Sequence, residues 1–440
     1  MVASVRWIPT APRHDDDKSG SRFLSTSDQR TPTSTCPVAH NTPFGSDDPR
    51  YLLWEPEFAS DPSSHYARMY RSGQSMVPVE LSPGVAATLV IDYRTAVRIL
   101  NDPEHFPADP RAWQETLPAD CPILPLVGYR PVPARTTGAE HRRYRDVHNA
   151  AMRDVDLHAL HIHMEKLAVP LINGFCEAGQ ADLIKQYCFP LSFAACNVLL
   201  GCPPDLGERI AEGMAKIFEN IDAESGNQIV AAALMELIDL KRRQPADDVV
   251  TRMLRHPAEL SDEEILHQIN SQYGAGIEIQ QTLITNTLLQ ILAEDGLGQD
   301  VLGGSLSTRD ALDEVLFTNP PLVNFLLTYP RQPILIDDLW LPANEPVVIS
   351  IAACNNDPRL RSGDRRGNRS HLSWGLGQHS CPAQTIAYLI AQDAIDQLLD
   401  ALPEMRPNFP TGAPDWRPGP FHRSMTELPV LFTPSPPLHM

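Results

Sequence analysis

Several features are missing from this 440-residue chain, and each absence removes a class of protein. No apolar run approaches the ~18 residues of a membrane span, so no membrane span is expected. Residues Met1 to Lys18 carry Arg6, Arg13 and three aspartates, Asp15 to Asp17, but no apolar stretch. No secretory signal is read there, and the cytoplasm is the expected compartment. The eight cysteines (Cys36, Cys121, Cys176, Cys188, Cys196, Cys202, Cys354, Cys381) form no CxxC pair and keep no regular spacing. A disulfide framework is therefore not expected. Positive charge is scarce: 36 Lys and Arg stand against 55 Asp and Glu, a formal charge of −19. That excess repels phosphate backbones and anionic lipid, so nucleic acid is not an expected partner.

With 42% hydrophobic residues the chain can bury a sizeable core. Residues 1–45, rich in Ser, Thr, Asp and Pro, read as a disordered tail, and 46–440 read as one domain. Helix dominates, with small β-sheets. The clearest helix spans Ser261 to about Ala293, opened by a Ser261/Glu264 capping box. Gly274, Ala275 and Gly276 interrupt its middle, where glycine costs ~1 kcal/mol. Close helix packing and a flat ligand lying on the backbone explain that cluster equally well. Further helices are read at His141–Met152, Phe189–Leu200, Ile210–Ile221, Thr308–Phe317 and from Pro382 to Leu402, with strand-like chain over Pro333–Ser350.

The chemistry concentrates in His371-Leu-Ser-Trp-Gly-Leu-Gly-Gln-His-Ser-Cys381-Pro-Ala. Gly375 and Gly377 permit a tight loop. Pro382 suits a first helical position, which puts Cys381 at or beside an N-cap, where N–H groups and the helix dipole favour a thiolate. Such a sulfur suits an axial iron ligand. Other readings remain beside it: zinc held by His371, His379 and Cys381, a nucleophilic cysteine served by His379, or a plain buried cysteine.

Trp374-Gly375-x-Gly377-x-His379-x-Cys381-x-Ala383 resembles the haem-binding loop of the cytochrome P450 family, soluble actinobacterial type. Ala275-Gly276-Ile277-Glu278 resembles that family's oxygen-side motif, and His141-x-x-x-Arg145 its propionate-gripping pair. The resemblance implies a single-domain P450 fold over about 50–435 and haem b as cofactor, with Cys381 as the metal ligand. It implies that His141, Arg145 and His379 hold propionates, that Trp374 packs near the sulfur and that Gly375 shapes the loop. Ala275 and Gly276 would leave room for dioxygen, and Glu278 would supply protons. The implied activity is a monooxygenase acting on a small or medium apolar organic substrate, reduced by NAD(P)H through a ferredoxin and its reductase.

Three departures accompany the resemblance. The family's Glu-x-x-Arg reads Glu314-Val-Leu-Phe317, with a Glu314–Arg366 pair expected to survive. The threonine after the acid is Ile279, which removes a hydroxyl from proton delivery. The arginine expected on the strand after Pro321 falls at Leu327 or Thr328, with Arg331 as a substitute. The first two losses motivate two rival expectations: a haem protein without turnover acting as a partner or regulator, and a peroxide-driven enzyme. Arg359, Arg361, Arg365, Arg366 and Arg369 are read as a basic docking face for an acidic electron donor, and Cys121–Ala134 as a pocket lid.

Overall fold

The computed structural model describes residues 49–218, 222–293, 296–360, 365 and 367–439. The 1–45 segment, Arg361 and Arg366 lie outside the described residues. The central helix begins as the sequence indicates. Ser261 accepts from the Glu264 amide, and the Glu264 carboxylate accepts from the Ser261 amide. Helix Asp262–Gly274 runs into a π-turn at Ala275–Ile279 and continues as Gln280–Leu292. The wider turn falls on the small-residue cluster, where a helix yields most easily.

The two halves pack into different cores. Ile265, Ile269, Tyr273 and Ile277 join Val147, Cys196 and Leu234 from the helices Gly138–Arg153, Phe189–Leu200 and Ala223–Arg243. Leu283, Ile284, Leu288 and Ile291 join the helices Leu157–Asn173, Thr308–Thr318 and Gln384–Ala401. The second half is buried all round, polar residues included. Buried polar groups need partners. Asn286 donates to the carbonyls of Asn319 (3.1 Å) and Arg423 (3.0 Å), and Gln280 to that of Ala387 (3.0 Å).

Ten strands occur among the described residues: β1 Tyr51–Leu52, β2 Met76–Ser82, β3 Val85–Val90, β4 Gln180–Asp182, β5 Asn324–Thr328, β6 Ile334–Ile336, β7 Leu339–Leu341, β8 Val347–Ser350, β9 Arg406–Pro407 and β10 Pro429–Leu431. They form a five-stranded sheet β1-β2-β3-β8-β5, a three-stranded sheet β4-β10-β9 and the β6-β7 hairpin. The architecture is mainly α with small sheets, as read from sequence. No helix among the described residues is long and apolar enough to cross a membrane.

One boundary differs in a way that matters. The last helix starts at Gln384 with Ala383 as its N-cap, so Cys381 precedes the cap by two residues. Cys381 and Pro382 belong to the loop.

Candidate active site

The cysteine loop meets the start of the Gly138–Arg153 helix, and the central helix reaches the helix after the loop through Gln280 and the Ala387 carbonyl. The cysteine amide donates to the Trp374 carbonyl (2.7 Å) and closes the loop. Gly375 and Gly377 both have positive φ, +69° and +68°. At Gly377 a Cβ would also meet the Leu100 carbonyl oxygen at 2.8 Å, so neither backbone nor space admits a side chain. Burial pushes the Cys381 thiol up, and the Ala383 amide and the Arg145 charge oppose it without prevailing. The expectation of a thiolate stabilised by the helix start alone is therefore corrected. A coordinated cation deprotonates such a thiol outright.

Behind the loop, Trp374 Nε1 donates to Tyr388 Oη (3.0 Å), and Tyr388 donates to Asp313. Arg369 Nε donates to the same carboxylate (3.0 Å), and His371 Nε2 lies 3.7 Å from it. Burial raises the Asp313 pKa, but the bonds from His371 and Tyr388 and the Arg309 charge outweigh burial and leave it lowered. His371 also meets the Phe317 ring edge-on at 5.1 Å, and no metal-holding group of His, Cys, Asp and Glu exists among the described residues. The structure thus gives the zinc reading no support. Glu314 pairs with Arg365 (3.7 Å), whose guanidinium lies 5.0 Å from the Phe317 ring centroid. The expected pair with Arg366 falls on a residue outside the described ones.

His141 is 2% exposed, and neither ring nitrogen makes a well-formed hydrogen bond among the described residues, although the Gln378 backbone is close by. Its ring lies 4.4 Å from that of His379, and Arg145 donates to the Ser380 carbonyl. Burial, with the charges of His141, Arg145 and Arg135, holds His379 down at about 3. Among the described residues no carboxylate is hydrogen-bonded to any of these three side chains. Donors buried without acceptors are costly, so the cluster fits a ligand bearing carboxylates. The propionates of a haem meet that requirement.

On the central helix Gly274 and Ala275 are exposed between buried Tyr273 and Ile277. A Cβ at Gly274 would meet nothing within 4 Å, whereas one at Gly276 would lie 2.5 Å from Cys196 Sγ. Gly274 and Ala275 face open space, and Gly276 serves helix packing rather than the dioxygen side expected of it.

Glu278 is held. Arg417 forms an ion pair with it, and Ser424 Oγ donates to it at 3.4 Å. Ser424 accepts from Arg417 Nη2 (2.6 Å) and lies 3.1 Å from Thr282 Oγ1. Ile279 brings no hydroxyl to this cluster. Arg417 and Ser424 escaped the sequence reading because they lie about 140 residues along the chain. No spacing marks them.

The described arginines of the basic segment each pair within the chain. Arg359 reaches Asp92 (2.7 Å) and Asp357 (2.9 Å), Arg365 reaches Glu314, and Arg369 reaches Asp313. The Arg359 and Arg369 side chains stay about half exposed despite these pairs, at 46% and 57%. Arg331 is exposed at a turn after β5, with its amide on the His105 carbonyl.

No family model matches the chain. Curated relatives and solved structures do. Cytochrome P450 monooxygenase PikC from Streptomyces venezuelae is 28% identical over 392 residues, 85% of this chain and 92% of that protein. The 2-hydroxy-5-methyl-1-naphthoate 7-hydroxylase from Streptomyces carzinostaticus is 25% identical over 375 residues, 80% and 90% of the two chains. The structure of CYP154C4 from Streptomyces sp. W2061 superposes with a TM-score of 0.77 at 25% identity, covering 87% of this chain and 98% of that one. Fold and relatives together define a haem-dependent oxidoreductase. The chain is homologous in sequence and structure to actinobacterial cytochrome P450 monooxygenases, and its cofactor is haem b.

Proposed function

We propose that this P450 inserts one oxygen atom from O2 into a small or medium apolar organic substrate in the cytoplasm. Electrons come from NAD(P)H through a ferredoxin reductase and a ferredoxin, since the sequence carries no flavin or iron–sulfur motif of its own. The observation that carries the reading is the glycine-bounded loop that presents Cys381 beside buried His141, whose ring nitrogens lack partners, and beside Arg145 and His379, which meet no carboxylate. Cys381 would hold the haem iron through its thiolate, and the haem so held would supply oxygen activation. His141, Arg145 and His379 bind propionates. Trp374 fixes the cysteine amide through its carbonyl and anchors the loop to Asp313 through Tyr388. Ala275, together with Gly274, would leave open space for dioxygen, and Glu278 would handle protons. The hydroxylase relative named above supports oxygen insertion into an organic ring system. Residues 46–440 form the catalytic domain, with 1–45 as an appended tail.

The test is the reduced, carbon monoxide-bound absorption spectrum of the purified haem protein. A strongly red-shifted Soret band is expected, and Cys381→Ala abolishes it. A haem-loaded parent without that band rejects Cys381 as thiolate ligand. The Arg417–Glu278 ion pair, together with Ile279, favours a second reading, a peroxide-driven enzyme. Product from peroxide but none from reductant plus dioxygen supports it, and no product from either supports a haem protein acting as a partner.

A further inference from the structure

We infer that Arg135 is a propionate ligand that replaces the arginine absent from β5. The inference rests on the haem reading above and adds a residue that neither the motifs nor the comparisons assign. Arg135 closes a single 3-10 turn, Pro133–Arg135, just ahead of the Gly138–Arg153 helix. Val132 and Pro133 are buried, and fully buried Thr136 bonds back to the Val132 carbonyl (2.9 Å), so the turn is firmly seated.

The turn spans the space between the donor cluster and β5. At one end the Pro133 backbone bonds the His379 ring, and the Arg135 charge is felt there. At the other, the Arg135 guanidinium lies 5.2 Å from the Phe325 ring centroid. Phe325, at the register shift between Asn324 and Leu326, packs against the core cluster that holds buried Leu327 and Tyr329. The guanidinium therefore stands beside the cluster into which an arginine at 327 would project. The same positive group is delivered to the same region from a different segment.

Its unmet bonding points the same way. Among the described residues Arg135 donates only to two neutral carbonyls of its own loop, Leu126 (2.8 Å) and Ala134 (3.3 Å). A guanidinium has five N–H groups in a fork suited to a carboxylate. The Tyr329 hydroxyl nearby is buried without a partner among the described residues. Arg135 is hemmed in by protein yet keeps accessible surface, the mark of a side chain lining a cleft. Charge matters as well. A haem brings two carboxylates, neutral imidazoles bring none to balance them, and Arg145 brings one while also serving the Ser380 carbonyl. Arg135 supplies the second.

The experiment follows haem loss from the holoprotein to excess apomyoglobin. Arg135→Leu is expected to speed loss by about tenfold or more, the scale of a charge-assisted bond, with Arg135→Lys intermediate. Reconstitution with haem dimethyl ester, which lacks the carboxylates, should bring parent and Arg135→Leu to the same rate. An unchanged rate in Arg135→Leu, while His141→Ala accelerates loss, overturns the inference. Equal acceleration with the ester also overturns it, because the role would then be structural. If Arg135→Leu does not fold, Arg135→Gln carries the same expectations. The carbon monoxide spectrum separates the two levels: a parent without the thiolate band fails the haem-thiolate reading, whereas a normal parent with an insensitive Arg135→Leu fails only this one.

Discussion

Two places where this chain departs from its family answer loss in opposite ways. Around Phe317 the missing guanidinium is surrounded by replacements. His371 meets the ring edge-on, Arg365 lies over it, and Asp313, Tyr388 and Trp374 tie the helix Thr308–Thr318 to the cysteine loop. Around Ile279 the hydroxyl is not restored at that position: the acid beside it is taken up by Arg417 and Ser424, and the next hydroxyl on the helix, Thr282, reaches it only through Ser424. The difference lies in what each site must do. A structural tie can be remade from aromatic edges, hydrogen bonds or charge, because each only has to hold two elements together. Proton delivery needs a particular atom within hydrogen-bond reach.

Breaking the remade tie should have the largest effect. Asp313→Ala strands the Tyr388 hydroxyl, His371 and Arg369 around a vacated carboxylate. A loss of about 3–5 kcal/mol is expected, the scale of breaking a buried charged network, read as a lower urea midpoint. A loss under about 1 kcal/mol would show that the tie contributes little beyond a surface pair.

The central-helix side has its own tie, and it titrates. His148 on the Gly138–Arg153 helix is buried and bonded to Gln268 Oε1 (2.7 Å), and burial holds it down at about 4. Its folded pKa lies below the unfolded value, so the unfolded chain binds the extra proton. Stability is full above about pH 6.5 and is lost as pH falls toward about 4, by about 3 kcal/mol in all. His148→Gln should flatten the stability profile across that window, measured by urea unfolding at each pH. A parallel profile would remove His148 from the acid response.

Much of this is legible in the sequence, for physical reasons that can be named. The capping box, the paired glycines and the cysteine act through neighbours a few residues away, so order along the chain reveals them. The π-turn follows the glycine cluster for the same reason. Arg417 and Ser424 reach Glu278 only after the chain has folded back, and Arg135 replaces a residue about 190 positions distant. Such substitutions preserve a charge in space and erase it from the motif. The Cys381 environment reads wrongly from sequence because Pro382 suggests an adjacent N-cap, whereas the loop continues to Ala383.

Restoring the family's arginine sharpens the contrast from the other direction. In Phe317→Arg the new guanidinium would enter beside Arg365, with Glu314 as the near carboxylate, in space that an aromatic ring already fills. A cost of about 1–3 kcal/mol is expected from overpacking and like charge, again read from the urea midpoint. A gain in stability would mean that the aromatic replacement is incomplete.

The corresponding restoration on the oxygen side, Ile279→Thr, should change stability little and chemistry more. The residue is half-buried at the end of the π-turn, so a threonine there gives up the tip of the side chain and places a hydroxyl next to Glu278. If Arg417 and Ser424 keep the acid occupied, the parent wastes reducing equivalents as peroxide, and the new hydroxyl raises product formed per NAD(P)H consumed. A gain of about two- to fivefold is expected, well short of the ~10²-fold of a complete general acid, because Glu278 stays paired. The measurement is product and peroxide yield from the same reaction. Unchanged yields would mean that Ser424 and Thr282 already deliver the proton, and the two departures would then be alike: both remade by residues from elsewhere in the chain.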